Sequence, residues 1–86
     1  MITIELFGVP RLRAGIGRVT LEAVDVGEAL RGLGQACPAL EGSVLREGRV
    51  HPAYRLSLNG DRFLTEPATA LADGDVLLLL AADVGG

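Results

Sequence analysis

The chain contains no lysine: its eight basic side chains, Arg11, Arg13, Arg18, Arg31, Arg46, Arg49, Arg55 and Arg62, are all arginine. That excludes Schiff-base and lysine general-base chemistry. It also leaves no ε-amine to which another protein's C-terminus could be joined. Aromatic residues are scarce, with only Phe7, Tyr54 and Phe63, so the core must be aliphatic. Cys37 is the single cysteine, which rules out an internal disulfide and fits a cytoplasmic location. With His51 as the single histidine, the His and Cys inventory is too small for an ordinary four-ligand zinc site, and no metal site is expected. The longest apolar run, Val76 to Ala82, is too short to span a bilayer. No basic segment precedes an apolar one at Met1-Ile2-Thr3-Ile4, so no signal peptide is expected.

What the sequence does contain points to one folded domain. At 86 residues with 49% hydrophobic content, it is large enough for one core and too apolar for disorder. A net charge of −3 and a pI near 4.9 argue against nucleic-acid binding, which usually requires a basic patch, and mildly favour basic partner surfaces.

Ile2 to Phe7 alternates as a strand, with Ile2, Ile4 and Leu6 on one face. Gly8, Pro10, Gly15 and Gly17 read as loop punctuation, and Val19 to Ala23 alternates again as an antiparallel partner. Asp25 with Glu28 three residues on forms a capping-box pattern. Behind it Val26, Ala29, Leu30, Leu33 and Cys37 make an apolar helical stripe, which Gly34 and Pro38 are expected to end. Leu40, Val44 and Leu45 suggest a further short turn. Tyr54 to Leu58 alternates, Asn59-Gly60 signals a hairpin, and Asp61 to Leu64 returns. Pro67 breaks the pattern, Asp73-Gly74 turns the chain, and Val76 to Leu80 lacks polar alternation, so both its faces are expected to be covered. The order β-β-α-β-β-β predicts an α+β domain in which one main helix packs across a mixed sheet. A right-handed crossover would set the last strand beside the first.

Few side chains offer chemistry. Cys37 could act as a nucleophile with His51 as base, but it lies on the apolar stripe, where a free cysteine is a small hydrophobe. His51, between Val50 and Pro52, reads as a solvated or locally bonded loop histidine. Asp73 and Asp75 flank Gly74 as turn residues. Gly15-Ile16-Gly17-Arg18 lacks the Gly-Lys-Ser/Thr ending of a phosphate loop and precedes a strand instead of a helix. No autonomous active site emerges. The remaining reactive group is the carboxylate after Gly85-Gly86, on a backbone whose lack of side chains lets it enter a narrow channel.

Leu58-Asn59-Gly60, Leu71-Ala72-Asp73-Gly74-Asp75-Val76, the following apolar strand and the terminal Gly85-Gly86 together resemble the ubiquitin-like sulfur carriers of the MoaD/ThiS type, nearest to the molybdopterin-synthase small subunit. Val26-Gly27-Glu28-Ala29-Leu30 and Ile2 to Phe7 match the same pattern. Glu47-Gly48-Arg49-Val50-His51 and Ala68 to Asp75 are also similar to carriers that deliver sulfur for cysteine synthesis. One departure is Ala81-Ala82-Asp83-Val84, where many members have a proline before the tail.

The resemblance implies a ubiquitin-like β-grasp domain over residues 1–82 and a flexible diglycine tail over 83–86. It implies that an E1-like adenylyltransferase uses ATP and Mg to activate the Gly86 carboxylate, which becomes a thiocarboxylate, with Gly85 and Val84 threading the partner's channel. The sulfur would then pass to a molybdopterin-synthase large subunit or another sulfur-accepting enzyme. This chain itself would bind no cofactor, nucleic acid or membrane. Delivery of sulfur for cysteine or another thio-metabolite, and ubiquitin-like modification of proteins, are the alternative uses of the same tail.

Overall fold

The computed structural model describes residues 1–82. Among them, β1 (Ile2–Leu6), β2 (Arg18–Leu21), β5 (Tyr54–Leu58), β6 (Arg62–Leu64) and β7 (Val76–Ala81) form a five-stranded sheet in the order β2-β1-β7-β5-β6. β1 and β7 run parallel, whereas β1–β2, β5–β7 and β5–β6 are antiparallel. The sheet is therefore mixed, and the last strand lies beside the first, as expected.

The helix α2 (Val26–Ala36) covers one face. Its N-terminus is fixed by Asp25, whose Oδ1 accepts from the Glu28 amide at 2.8 Å, one arm of the expected box. Val26, Ala29, Leu30 and Leu33 are buried against Ile2, Ile4 and Leu6 of β1, Leu56 of β5, and Leu77 and Leu79 of β7. Each such aliphatic side chain removed from water contributes on the order of 1.5–3 kcal/mol, so an almost purely aliphatic core suffices.

Four expectations change. Residues 8–17 are not all loop: Val9–Ala14 forms a short helix, α1, with Pro10 buried in its first turn and Gly15 closing it at φ 78 in the left-handed region. Proline is tolerated there because the first amides of a helix have no internal partner. Gly34 does not end α2, which continues to Ala36 with Cys37 as its C-cap. Gly34 is small for another reason: the Glu41 side chain fills the space its Cβ would need. The short turn after the helix is a 3₁₀ turn over Pro38–Leu40. Leu45 instead begins an extra hairpin, β3 (Leu45–Arg46) and β4 (Arg49–Val50). Finally, β7 is central but not covered on both faces. Leu77 and Leu79 are fully buried, while Val76, Leu78 and Leu80 on the opposite face are only half-buried.

Candidate functional site: the root of the tail and the open sheet face

β7 is held along its length by two neighbours. Its register sets Ile4 against Leu77 and Leu6 against Leu79 on one side, and Leu56 against Leu79 and Tyr54 against Ala81 on the other. Beyond the last ladder pairs, the Phe7 amide donates to the Leu79 carbonyl at 3.0 Å and the Ala82 amide to the Ala53 carbonyl at 2.9 Å. Chain direction is thus fixed up to Ala82. Asp83, Val84, Gly85 and Gly86, which include all three predicted site residues, lie outside the described residues. Val9, Ala53, Tyr54, Ala81 and Ala82 line a shallow groove of about 380 Å³ at this root.

The other end of β7 is fastened by the motif residues. Asn59 has φ 52 and Gly60 φ 76, the paired positive values of a hairpin turn of the I′ type. The Asn59 amide donates to the Val76 carbonyl at 2.7 Å, and its Oδ1 accepts from the Val76 amide at 2.8 Å. Asp75 accepts from the Asn59 Nδ2 at 3.3 Å and from the Ala72 amide at 2.8 Å. The Asn-Gly and Asp-Gly-Asp segments are therefore one clamp that locks the β5–β6 turn to the start of β7. Turn chemistry accounts for Asp75, as expected.

The face of the sheet opposite α2 carries an apolar stripe of half-buried Val76, Leu78 and Leu80 on β7, flanked by Thr3 and Glu5 on β1 and by Arg55 and Ser57 on β5. Leu78 lies between Glu5 of β1 and Ser57 of β5, and Ser57 is in turn paired with Phe63. Phe63 is 61% exposed. Phe7, Val9 and Ile16 are exposed close to the tail root and α1, and Leu12 of α1 is 80% exposed. At the β2 edge the Arg18 guanidinium donates to Glu5 at 3.2 Å. An apolar stripe with exposed Phe63 and Phe7 beside it is a candidate interaction surface. Strand alternation alone did not identify which face was open, because the run Val76 to Leu80 is apolar on both.

The other candidates are inert in this geometry. Cys37 is buried and unpaired, and burial pushes its thiol pKa up, which opposes nucleophilic use. The His51 Nδ1 accepts from the Ala53 amide at 3.0 Å, and its ring meets Tyr54 edge-on with centroids 6.1 Å apart. Gly15 to Gly17 is a bend entering β2, and the Arg11 side chain lies over Gly17. Among the described residues, no group of three or more His, Cys, Asp or Glu side chains is placed to hold a metal ion, and no helix is long and apolar enough to cross a membrane.

A mixed five-stranded sheet grasping one main helix, with the chain leaving from the central strand, defines a ubiquitin-like β-grasp domain. No protein-family model and no curated protein matches the chain, but solved structures do. Small archaeal modifier protein 1 of Haloferax volcanii is 30% identical with a TM-score of 0.83, over 99% of this chain and 98% of that one. A chain of the Helicobacter pylori complex of subunits 1 and 2 of molybdopterin-converting factor is 26% identical, TM-score 0.67, over 99% and 97%. A chain of the Amycolatopsis orientalis BexX/CysO complex shares the fold at 20% identity and TM-score 0.80, over 100% of both. The chain belongs to the MoaD/ThiS-like family of ubiquitin-like sulfur carriers.

Proposed function

We propose that the chain carries sulfur as a thiocarboxylate on Gly86 and serves molybdopterin synthesis as the small subunit of a synthase-type complex. The observation that carries this reading is the anchoring of β7. A central strand held on both sides and pinned at Ala82 launches a segment that ends four residues later in Gly85-Gly86. A fixed root makes reaction of the tail effectively intramolecular once the body has docked.

The Gly86 carboxylate attacks the α-phosphate of ATP on an E1-like partner, giving an acyl-adenylate and releasing pyrophosphate. A sulfide-equivalent donor then attacks the acyl carbon and AMP leaves, producing the thiocarboxylate. ATP, Mg and the catalytic side chains belong to the partner. Gly85 and Val84 pass the channel, Gly85 because a side chain there would clash with its walls. The open sheet face and the groove beside Tyr54 are the surfaces on which the activating enzyme and the sulfur-accepting large subunit would dock. The subunit pairing in the Helicobacter pylori complex supports that acceptor.

A second reading, ubiquitin-like modification of other proteins, is favoured by the name of the 30%-identical relative, a modifier protein. Intact-mass measurement after co-expression with an E1-like enzyme separates the two. Carrier function predicts exchange of one oxygen for sulfur, abolished by deleting Gly85-Gly86. Unmodified chain together with large protein adducts would give the function to the modifier reading.

A further inference from the structure

The β3–β4 hairpin carries an arrangement that the sulfur chemistry does not use. Its two-residue turn, Glu47-Gly48, has positive φ at both positions, 52 and 74, and so sets Arg46 directly opposite Arg49. Directly opposed side chains share a face, and like charges there are destabilising. Leu45, the neighbouring residue, is buried and pairs with Val50, so alternation sends both arginines away from the core.

A third guanidinium reinforces them. Arg31 of α2 lies over the same turn, its Nε 3.3 Å and its Cζ 3.4 Å from the position a Gly48 Cβ would occupy. Among the described residues, Arg31, Arg46 and Arg49 form no ion pair. Glu28 and Glu47 lie near in sequence, yet neither bridges to them. An acidic protein thus places three arginines around one tight turn, none of them within ion-pair distance of a carboxylate among the described residues, although Glu47 stands in the turn itself beside Arg46 and Arg49.

Arg49 also stands on the rim of a crevice of about 160 Å³. Val26 and Leu30 of α2, Val50, Leu56 and Leu64 supply its apolar wall, and no acidic residue lines it. An apolar slot with a cationic rim is complementary to an aliphatic side chain flanked by carboxylates.

We infer that the β3–β4 hairpin is a docking site for an acidic segment of a partner protein, which inserts one aliphatic side chain beside Arg49 and sets its carboxylates on Arg31, Arg46 and Arg49. Nucleic acid fits less well: the patch is local, has no exposed aromatic platform, and belongs to a chain whose net charge of −3 repels a polyanion. The hairpin packs against α2 and β5, and its crevice shares Tyr54 with the groove at the tail root, so a segment bound there lies beside that groove.

The test is an amide chemical-shift titration of the full chain with a blocked peptide, Asp-Glu-Leu-Glu-Asp. The expected result is shifts confined to residues 26–31, 46–56 and 64–67, which hold the arginines and line the crevice, with affinity weakened about tenfold on raising salt from about 50 to 500 mM. Arg46→Glu/Arg49→Glu should weaken it at least about tenfold and the milder Arg46→Gln/Arg49→Gln less, whereas Arg18→Glu on β2, which changes the net charge as much as the double Gln variant, should weaken it under about twofold. Replacing the peptide's leucine by alanine should also weaken binding. No binding by the folded chain, shifts elsewhere, indifference to the arginine substitutions, or equal competition by inorganic pyrophosphate would overturn the inference. The titration uses neither ATP nor the tail, so its failure would leave the carrier reading untouched.

Discussion

Replacing Asn59 by alanine should unfasten β7 at the end remote from the tail. Two costs can be separated. The side-chain carbonyl that accepts from the Val76 amide at 2.8 Å is lost, and an exposed hydrogen bond of this kind contributes about 1 kcal/mol. Alanine must also take up φ 52; a residue with a Cβ and no local hydrogen-bonding side chain pays roughly 1–2 kcal/mol in the left-handed region. The sum is about 2–3 kcal/mol, equivalent to roughly 8–24 °C in Tm for a domain of this size. Asn59→Gly removes the hydrogen bond but relieves the backbone term, so it should cost only about 1 kcal/mol.

Urea denaturation of the three proteins, followed by far-ultraviolet circular dichroism, measures both steps. Equal destabilisation by Ala and Gly would refute the backbone component. A change below about 0.5 kcal/mol in Asn59→Ala would refute the clamp itself. Because the clamp and the tail root lie at opposite ends of β7, thiocarboxylate formation well below the melting temperature should change by less than about twofold.

Other perturbations probe the remaining elements. Leu79→Ala removes a fully buried side chain from the middle of the sheet and should cost about 2–5 kcal/mol in chemical denaturation. Asp25→Ala deletes the cap on α2 and should cost about 1 kcal/mol, with Asp25→Asn close to wild type. Burial raises the Cys37 thiol pKa above its ordinary value of 9.0. The unfolded chain therefore loses that proton first as pH rises, and stability should fall above about pH 9. Comparing urea midpoints of wild type and Cys37→Ala at neutral and alkaline pH isolates this slope, which should be shallower in the variant.

The elements read most directly from the sequence are those whose signal is local. Asp25 followed by an apolar stripe specified the start of α2, and Asn59-Gly60 specified a hairpin, because caps and tight turns depend on residues a few positions apart. The six residues of α1 were hidden behind Gly8, Pro10 and Gly15, since a helix this short shows less than two periods of its pattern. Gly34 resembled a helix stop, but its role is to make room for Glu41, which the 3₁₀ turn after α2 folds back onto the helix. The hairpin at Leu45–Val50 is too short for alternation to register.

By itself the sequence determined an aliphatic mixed α+β domain, a helix fastened at Asp25, a turn at Asn59, and a chain ending in two glycines without side chains. Each follows from composition, period or local backbone preference. Only the tertiary structure decided which side of β7 is open, that Asn59 and Asp75 form one clamp, and that Arg31 joins Arg46 and Arg49 over Gly48. Those depend on strand pairing and helix placement. A run of apolar residues from Val76 to Leu80 is equally compatible with either face turned inward until β1 and β5 fix its register and α2 covers one side.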